Sequence, residues 1–254
     1  MAKDIRLDKY IAEAAGITRK DAKTALQKGR VRVNGEVCKN GDAKVSSADE
    51  VTLDGKNLAA EEFLYLMLHK PAGVVSATED GRDKTVLDLV KEQSAESSEE
   101  AGASGYFLGK REVFPVGRLD KDTEGLLLLT DDGELAHKLL SPKKHVDKVY
   151  FARLEGEVPG DAAERFAEGI QVGQDYKALP AKLEVLSVKD GVSEVHITLR
   201  EGKFHQVKRM CHEIGCEVTY LKRISMGNLV LDDKLQPGEC RKLTPEEVES
   251  LKQQ

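Results

Sequence analysis

Gly117-Arg118-Leu119-Asp120-Lys121-Asp122-Thr123-Glu124-Gly125-Leu126-Leu127-Leu128-Leu129-Thr130-Asp131-Asp132-Gly133 sets a dense cluster of carboxylates against a run of four leucines. A short apolar run bounded by Gly125 and by Asp131 to Gly133 reads as a fully buried strand. Asp120, Asp122 and Glu124 then occupy the loop that feeds a core strand, a place where one acid can be held rigidly. Two chemistries compete for that loop. For calcium, Asp120, Asp122, Glu124, Gly125 and Asp131 fall at positions one, three, five, six and twelve of an EF-hand-like loop. Position nine would be Leu128, position twelve is Asp rather than the usual Glu, and Pro115 stands where an entering helix should be. The spacing therefore favours a single working carboxylate, with Asp122 and Glu124 as solvated turn residues and no metal.

The wording of the motif goes further. Gly117-Arg118-Leu119-Asp120, with Thr123, Gly125 and the leucine–Thr130–Asp132–Gly133 continuation, closely resembles the catalytic motif of bacterial ribosomal RNA pseudouridine synthases, and within them the branch that modifies small-subunit rRNA. The resemblance implies that Asp120 is the catalytic acid and that Arg118 helps to hold the displaced nucleotide. It extends to Lys70-Pro71-x-Gly73, where proline and glycine predict a fixed turn after the apolar run Phe63 to Leu68. It extends also to Lys148-Val149-Tyr150, at the head of a segment in which Val149, Phe151 and Leu154 suggest a strand. A lone Tyr on a strand is usually core; the resemblance makes Tyr150 the ring that stacks on the target uracil, with a hydroxyl able to exchange a proton.

The third motif is Glu201-Gly202-Lys203-Phe204-His205-Gln206-Val207-Lys208-Arg209-Met210. Val195, Ile197 and Leu199 alternate as a strand into Glu201-Gly202. A helix is predicted next, with Phe204, Val207, Met210 or Cys211, and Ile214 inward and His205, Lys208, Arg209 and His212 on the polar side. By resemblance Lys208 is the cation that pairs with Asp120; Lys148, Lys203 and Arg209 complete the candidate substrate-binding set. The final Thr244-Pro245-Glu246-Glu247 predicts a capped helix start with Pro at its first position.

Net charge is −6, yet residues 1–45 carry 11 Lys or Arg against 6 Asp or Glu. Phosphate responds to the local field rather than to total charge. In this basic segment Leu7, Tyr10, Ile11 and Ala14 recur at helical spacing up to Gly16, and Thr18 with Asp21 reads as a helix start. A second helix buries Ala22, Ala25 and Leu26 and ends at Gly29. Val31 and Val33 alternate with Arg30 and Arg32 up to Asn34-Gly35, a strong hairpin signal. Two helices and a hairpin resemble the S4 RNA-binding domain, with Arg6, Arg19, Lys20, Lys23, Arg30 and Arg32 as its candidate RNA contacts.

The expected fold is α+β: an S4-like helix–helix–hairpin domain over residues 1–60, then a catalytic domain over 61–254. Its central sheet should be mixed and mainly antiparallel, flanked by helices. Residues 91–112, rich in Glu, Ser, Ala and Gly, are expected to form a mobile surface loop. No apolar stretch reaches a membrane span, no secretory leader is visible, and the four cysteines form no C-x-x-C pair, so a cytoplasmic protein with reduced thiols is expected; a monomer is expected as well. Isomerisation of uridine needs no redox carrier, nucleotide triphosphate or metal, so no cofactor is expected. Three functions follow: modification of 16S rRNA in an assembling small subunit, the same reaction on large-subunit rRNA, or non-catalytic RNA binding in ribosome assembly. A decayed enzyme would have lost Asp120, Tyr150 or the cation at 208; all three are present.

Overall fold

The computed structural model describes residues 5–46, 49–58, 63–96, 108, 111–141, 144 and 146–254. Compactness divides the chain into two units, Met1–Leu64 with Lys91–Glu112, and Tyr65–Val90 with Val113–Gln254.

The first unit runs β1 (Ile5–Arg6), α1 (Leu7–Ala15), α2 (Arg19–Gln27), β2 (Val31–Val33), β3 (Glu36–Val37), β4 (Lys44–Val45), β5 (Val51–Leu53) and β6 (Lys56–Leu58). Its core joins Leu7, Tyr10 and Ile11 of α1 to Ala22, Ala25 and Leu26 of α2 and to Val31, Val45 and Val51 of the strands. The signals in the sequence act as read. Gly16 ends α1 in the left-handed region at φ 65, where a β-carbon is unfavourable. Thr18 caps α2 by accepting from the Asp21 amide at 3.1 Å. Asn34 and Gly35 both take positive φ, at 50 and 84, as a tight two-residue hairpin turn requires. The strand order is β3-β2-β5-β6, with β1 paired to β4.

Most of the candidate RNA contacts of this unit have internal partners. Arg6 and Arg19 converge on the fully buried carboxylate of Asp8, through Arg6 Nη2 at 3.0 Å and Arg19 Nη2 at 2.8 Å, and Lys23 stands 3.9 Å away. Arg30 forks onto Asp54, and Arg32 donates to the Gly35 carbonyl at 2.8 Å. Lys20 is exposed.

The second unit comprises β7 (Tyr65–Lys70), α3 (Val86–Glu96), β8 (Phe114–Pro115), β9 (Glu124–Thr130), α4 (Gly133–Leu140), β10 (Lys148–Glu155), α5 (Ala162–Glu168), β11 (Gln171–Val172), β12 (Tyr176–Lys177), β13 (Lys182–Lys189), β14 (Val192–Leu199), α6 (Gln206–Glu213), β15 (Glu217–Met226), β16 (Leu229–Val230), β17 (Cys240–Lys242) and α7 (Pro245–Lys252). Helix α3 runs from this unit into residues grouped with the first. It also extends to Glu96, into the stretch read as a loop; beyond it only Leu108, Arg111 and Glu112 of that stretch are among the described residues.

Strands β13-β14-β10-β15-β9-β7-β17 form one sheet, with β16 on β15 and β8 on β9. The fold is α+β, and the sheet is mixed and mainly antiparallel as expected: among the described residues β9 with β15 is its only parallel pairing. The leucine run explains its centre. Leu126, Leu127, Leu128 and Leu129 are each at most 1% exposed, each contributing roughly 1.5–3 kcal/mol of apolar burial. Strand β7 begins two residues later than its apolar run and reaches Lys70, buried throughout. Helix α7 opens on the expected cap, a reciprocal capping box between Thr244 and Glu247 with Pro245 at the helix start.

Asp8 yields a pH signature. Hydrogen bonding from Arg6, opposed by burial and aided by Arg19, holds its carboxyl at about 2, against about 4 in an unfolded chain. A lowered carboxyl pKa contributes stability above the unfolded value and loses it as the folded group protonates. Roughly 2 kcal/mol should therefore disappear between pH 4 and 2. Asp8→Asn should remove that slope and lower amide-exchange protection of α1 at neutral pH, measurable by hydrogen exchange across a pH series.

Candidate active site

The loop ahead of β9 is fixed from below by the turn that follows β7. Lys70, with no exposed surface, sends its ammonium to three backbone carbonyls: Thr123 at 2.8 Å, Pro71 at 3.0 Å and Lys121 at 3.3 Å. The Gly73 amide donates to the same Lys121 carbonyl at 2.7 Å. Ser76 Oγ accepts from the Leu119 amide at 3.0 Å and donates to the Leu119 carbonyl at 2.9 Å. Asp120 thus stands between two residues whose backbones are bonded to the 70–76 segment. Burial lowers the Lys70 ammonium to about 8, and Asp122, Asp120 and Glu124 offset part of that effect.

Sheet register brings the other groups alongside. Gly125 pairs with Lys70 of β7 on one side and Arg223 of β15 on the other; Arg223 pairs with Tyr150 of β10, and Tyr150 with Ile197 of β14. These residues form one row across the sheet. A bulge between Val149 and Tyr150 interrupts the β10–β15 register, and such irregularities re-aim side chains beside sites. Gly125 is indispensable to the row: at φ 106, a β-carbon there would lie 2.2 Å from the Arg223 carbonyl oxygen.

Beside this row lies an open cleft lined by Arg118, Asp120, Tyr150, Lys203, His205 and Lys208 among others. Tyr150 is 8% exposed, and Leu199 and Leu221 also line the cleft. It lies on the buried face with Lys148, Ala152 and Leu154, whereas Val149 and Phe151 are only half-buried. The strand therefore has the opposite phase to the one its Val149–Phe151 alternation suggests.

Around Asp120 the cations are arranged differently from expectation. Lys208 Nζ stands 3.8 Å from Asp120 Oδ2, within ion-pair range but beyond a hydrogen bond. Its hydrogen bonds go to both oxygens of Asp122, at 2.6 and 2.7 Å, and they hold the Asp122 carboxyl below the usual carboxylate range. Asp122 is 71% exposed, yet it is the direct partner of Lys208 rather than a merely solvated residue. Glu124 likewise accepts from the Tyr220 hydroxyl at 2.8 Å. His205 supplies a second nitrogen at Asp120, its Nε2 lying 3.7 Å from Oδ1.

Among the remaining candidates, Arg118 and Lys203 reach the cleft; Lys203 Nζ also lies 3.6 Å over the Tyr176 ring. Lys148 does not line it: the side chain is buried and donates to the Val146 carbonyl at 3.1 Å, with its pKa lowered by burial and then by Arg223. Arg209 is ion-paired to Asp175 and lies outside the lining. Phe204, expected inward, is 75% exposed, because α6 begins at Gln206 behind a left-handed His205. Sequence reasoning does not assign Lys70 or His205 to the site. A cation closing a six-residue buried strand is the signal that marks Lys70.

Comparison with known proteins identifies the family. The RNA pseudouridylate synthase family matches residues 64–213, and the S4 domain matches residues 5–51. An uncharacterized RNA pseudouridine synthase, YtzG, of Bacillus subtilis is 43% identical over 97% of this chain and 98% of its own length. The ribosomal small subunit pseudouridine synthase A of Vibrio parahaemolyticus is 42% identical over 97% of this chain and 99% of its own, and that of Escherichia coli K12 39% over 97% and 100%. A solved pseudouridylate synthase, 38% identical, superposes with a TM-score of 0.62 over 97% of this chain and 99% of the other. The chain belongs to the RNA pseudouridylate synthase family: it is a pseudouridine synthase with an N-terminal S4 domain.

The buried lysine predicts a separation of activity from stability. Above about pH 8 the Lys70 ammonium loses its charge and one of three donors, so pseudouridine formation should fall there. Global stability should not fall with it: between pH 8 and about 10.4 the unfolded chain holds the proton more tightly, so this group's contribution rises with pH. Lys70→Met should lower kcat by about tenfold or more through loss of loop geometry and abolish that basic limb. Rate–pH profiles set beside denaturation curves check both outcomes.

Proposed function

We propose that this pseudouridine synthase isomerises a uridine of 16S rRNA within an assembling small ribosomal subunit, with Asp120 as its catalytic carboxylate. The observation that carries the reading is the meeting in one cleft of the nearly buried ring of Tyr150 and of Asp120, which sits on a loop whose neighbouring carbonyls are already bonded. The small-subunit choice draws on relatives bearing that printed name at about 40% identity along nearly the whole chain.

The reaction breaks the C1′–N1 bond of uridine, turns the uracil and rejoins it through C5. Whether the carboxylate attacks C1′, adds to the base or removes a sugar proton, each route begins with Asp120 ionised. Lys208 at 3.8 Å and His205 at 3.7 Å keep positive or hydrogen-bonding nitrogen near it. Tyr150 offers a flat face for the uracil and a hydroxyl for proton exchange. The base must leave its stack to reach the cleft, at a cost of a few kcal/mol. Arg118 on the cleft wall is suited to the displaced nucleotide's phosphate. The S4 unit would engage phosphates through Lys20, Lys23, Arg19, Arg30, Arg32 and Arg6, and the protein acts as a monomer.

Asp120→Asn should abolish pseudouridine formation while leaving RNA affinity within about threefold, since shape is kept and only charge is lost. Asp122→Asn, which only releases Lys208, should retain activity within about tenfold. Pseudouridine mapping on naked 16S rRNA and on assembling particles measures both; clear turnover by Asp120→Asn sinks the assignment. Tyr150→Leu should be inactive, and Tyr150→Phe tells stacking from proton transfer.

Replacing Lys20 or Lys23 by Ala should weaken RNA binding across sequences and reduce the slope of log K against log salt by about 0.7–0.9 for each phosphate no longer engaged. Filter binding from low to moderate salt reads the slope directly, and an unchanged slope would assign those lysines to plain solvated surface.

A further inference from the structure

Phe204 is the most exposed large hydrophobic side chain among the described residues, at 75%. Its ring stacks on His205, with centroids 3.8 Å apart and planes 15° from parallel. His205 in turn lines the cleft and lies 3.7 Å from Asp120. Its backbone is left-handed, at φ 50 and ψ 32, a conformation a non-glycine residue rarely adopts and one that recurs at functional sites. Asp120, the His205 ring and the Phe204 ring thus stand in sequence from the reacting centre outward. One face of the Phe204 ring is covered by His205, while most of its remaining surface is open.

A single exposed apolar side chain is ordinary; what singles out Phe204 is its stack on a histidine that borders the cleft, which leaves one flat face presented beside Asp120. The surroundings favour a nucleobase. Phe204 is not itself in the lining of the cleft, but its chain neighbours Lys203 and His205 are, together with Lys208 and Arg118; cations near an exposed aromatic ring are the combination that holds single-stranded nucleic acid. Every base has a flat face that such a ring can meet. When the target uridine leaves its stack for Asp120, the base next to it loses a stacking partner.

We infer that Phe204 is a substrate-positioning residue whose open face stacks on the nucleobase adjacent to the target uridine, replacing the neighbour that has flipped out. The inference rests on the proposed reading of the substrate as rRNA. The stack with His205 holds the Phe204 ring in place before RNA arrives, so little side-chain freedom remains to be lost on binding. His205 then joins two tasks: one edge faces the catalytic carboxylate, and one face supports the platform.

The test compares the full-length protein with Phe204→Leu and Phe204→Tyr on a 16S rRNA whose modified uridine has been mapped from the wild-type reaction. The same RNA is also made with a single abasic nucleotide 5′ or 3′ of that uridine. Phe204→Leu should lower kcat/KM about tenfold, mainly through KM, at unchanged thermal stability, and Phe204→Tyr should restore it. One of the two abasic substrates should cost the wild type a similar factor and leave Phe204→Leu unaffected, because the partner of the missing base is already gone. Equal activity of Phe204→Leu and wild type on intact RNA overturns the inference, as does an abasic effect of the same size in both proteins. A defect seen on assembling particles but absent on naked RNA assigns the ring to a protein neighbour and overturns it too. A wild-type enzyme that forms pseudouridine in large-subunit rRNA and none in 16S rRNA overturns the small-subunit reading instead, and the comparison is then made around the uridine it modifies.

Discussion

A buried ammonium that must find oxygen is the constraint on which the catalytic end of this molecule depends. Lys70 closes a strand whose six residues are all buried, and desolvating an ammonium without partners would cost several kcal/mol. Its partners are main-chain carbonyls rather than a carboxylate at bonding distance, two of them from the loop that carries Asp120. The loop therefore cannot rearrange without stranding a charge, and the charge cannot stay without the loop. Burial prevails over the attraction of the three nearby acids, since the ammonium is lowered to about 8. What those acids contribute is part of the compensation that lets it remain charged at neutral pH. Ser76 and Gly73 then hold the same segment by neutral hydrogen bonds, so most of the geometry at Asp120 is set by residues 70–76.

Register carries that local order across the sheet. Gly125 accepts β15 at a distance no other residue would allow, and this close approach accompanies the parallel pairing of β9 with β15 in an otherwise antiparallel sheet. Through Arg223 the same row reaches Tyr150, where the β10–β15 register shifts by one residue at Ile224 of β15. Tyr150 is thus placed by strand pairing, and Asp120 by a loop bonded to the 70–76 segment. Rigid elements of this kind suit chemistry in which a base must be held at a fixed distance from a carboxylate.

The parts legible in the sequence are those governed by near neighbours. Thr18 with Asp21, Asn34-Gly35 and Thr244 with Glu247 each specify their structure within a few residues, and four leucines between glycine and aspartate specify a core strand. The parts that escape depend on distant partners. Lys70 meets carbonyls some fifty positions away, and the sequence displays only a turn. Lys208 lies between two carboxylates, and the pattern cannot tell which will take the hydrogen bonds; Asp122, at the tip of the turn, takes them. Phe204 reads as inward only when a helical period is extended across residues that are not helical. The left-handed His205 starts the helix later and leaves the ring outside, so the local error falls at a residue with a candidate role, as strained sites lead one to expect.

The same pairing habit bears on how an acidic chain could serve an RNA substrate. Arg6 and Arg19 rest on Asp8, Arg30 on Asp54, Arg209 on Asp175 and Lys208 on Asp122. Many of the cations a phosphate backbone would use are thus occupied internally, consistent with a net charge of −6. The exposed pairs are weak, about 0–1 kcal/mol each, and are screened by salt. A phosphate can displace an exposed carboxylate such as Asp54 or Asp122 at little cost, whereas Asp8 is fully buried and lowered to about 2, and does not release its arginines so readily. The two kinds of pair differ in consequence. Around Asp8 the arginines belong to the fold of the first unit, with outer edges left for RNA; at Asp122 and Asp54 the pairing is an exchangeable one that keeps a cation extended until a stronger anion arrives. On this reading the exchange at Asp122 matters most, because the lysine it would release stands 3.8 Å from Asp120, so that RNA entering the cleft would alter the field at the proposed catalytic carboxylate as it binds.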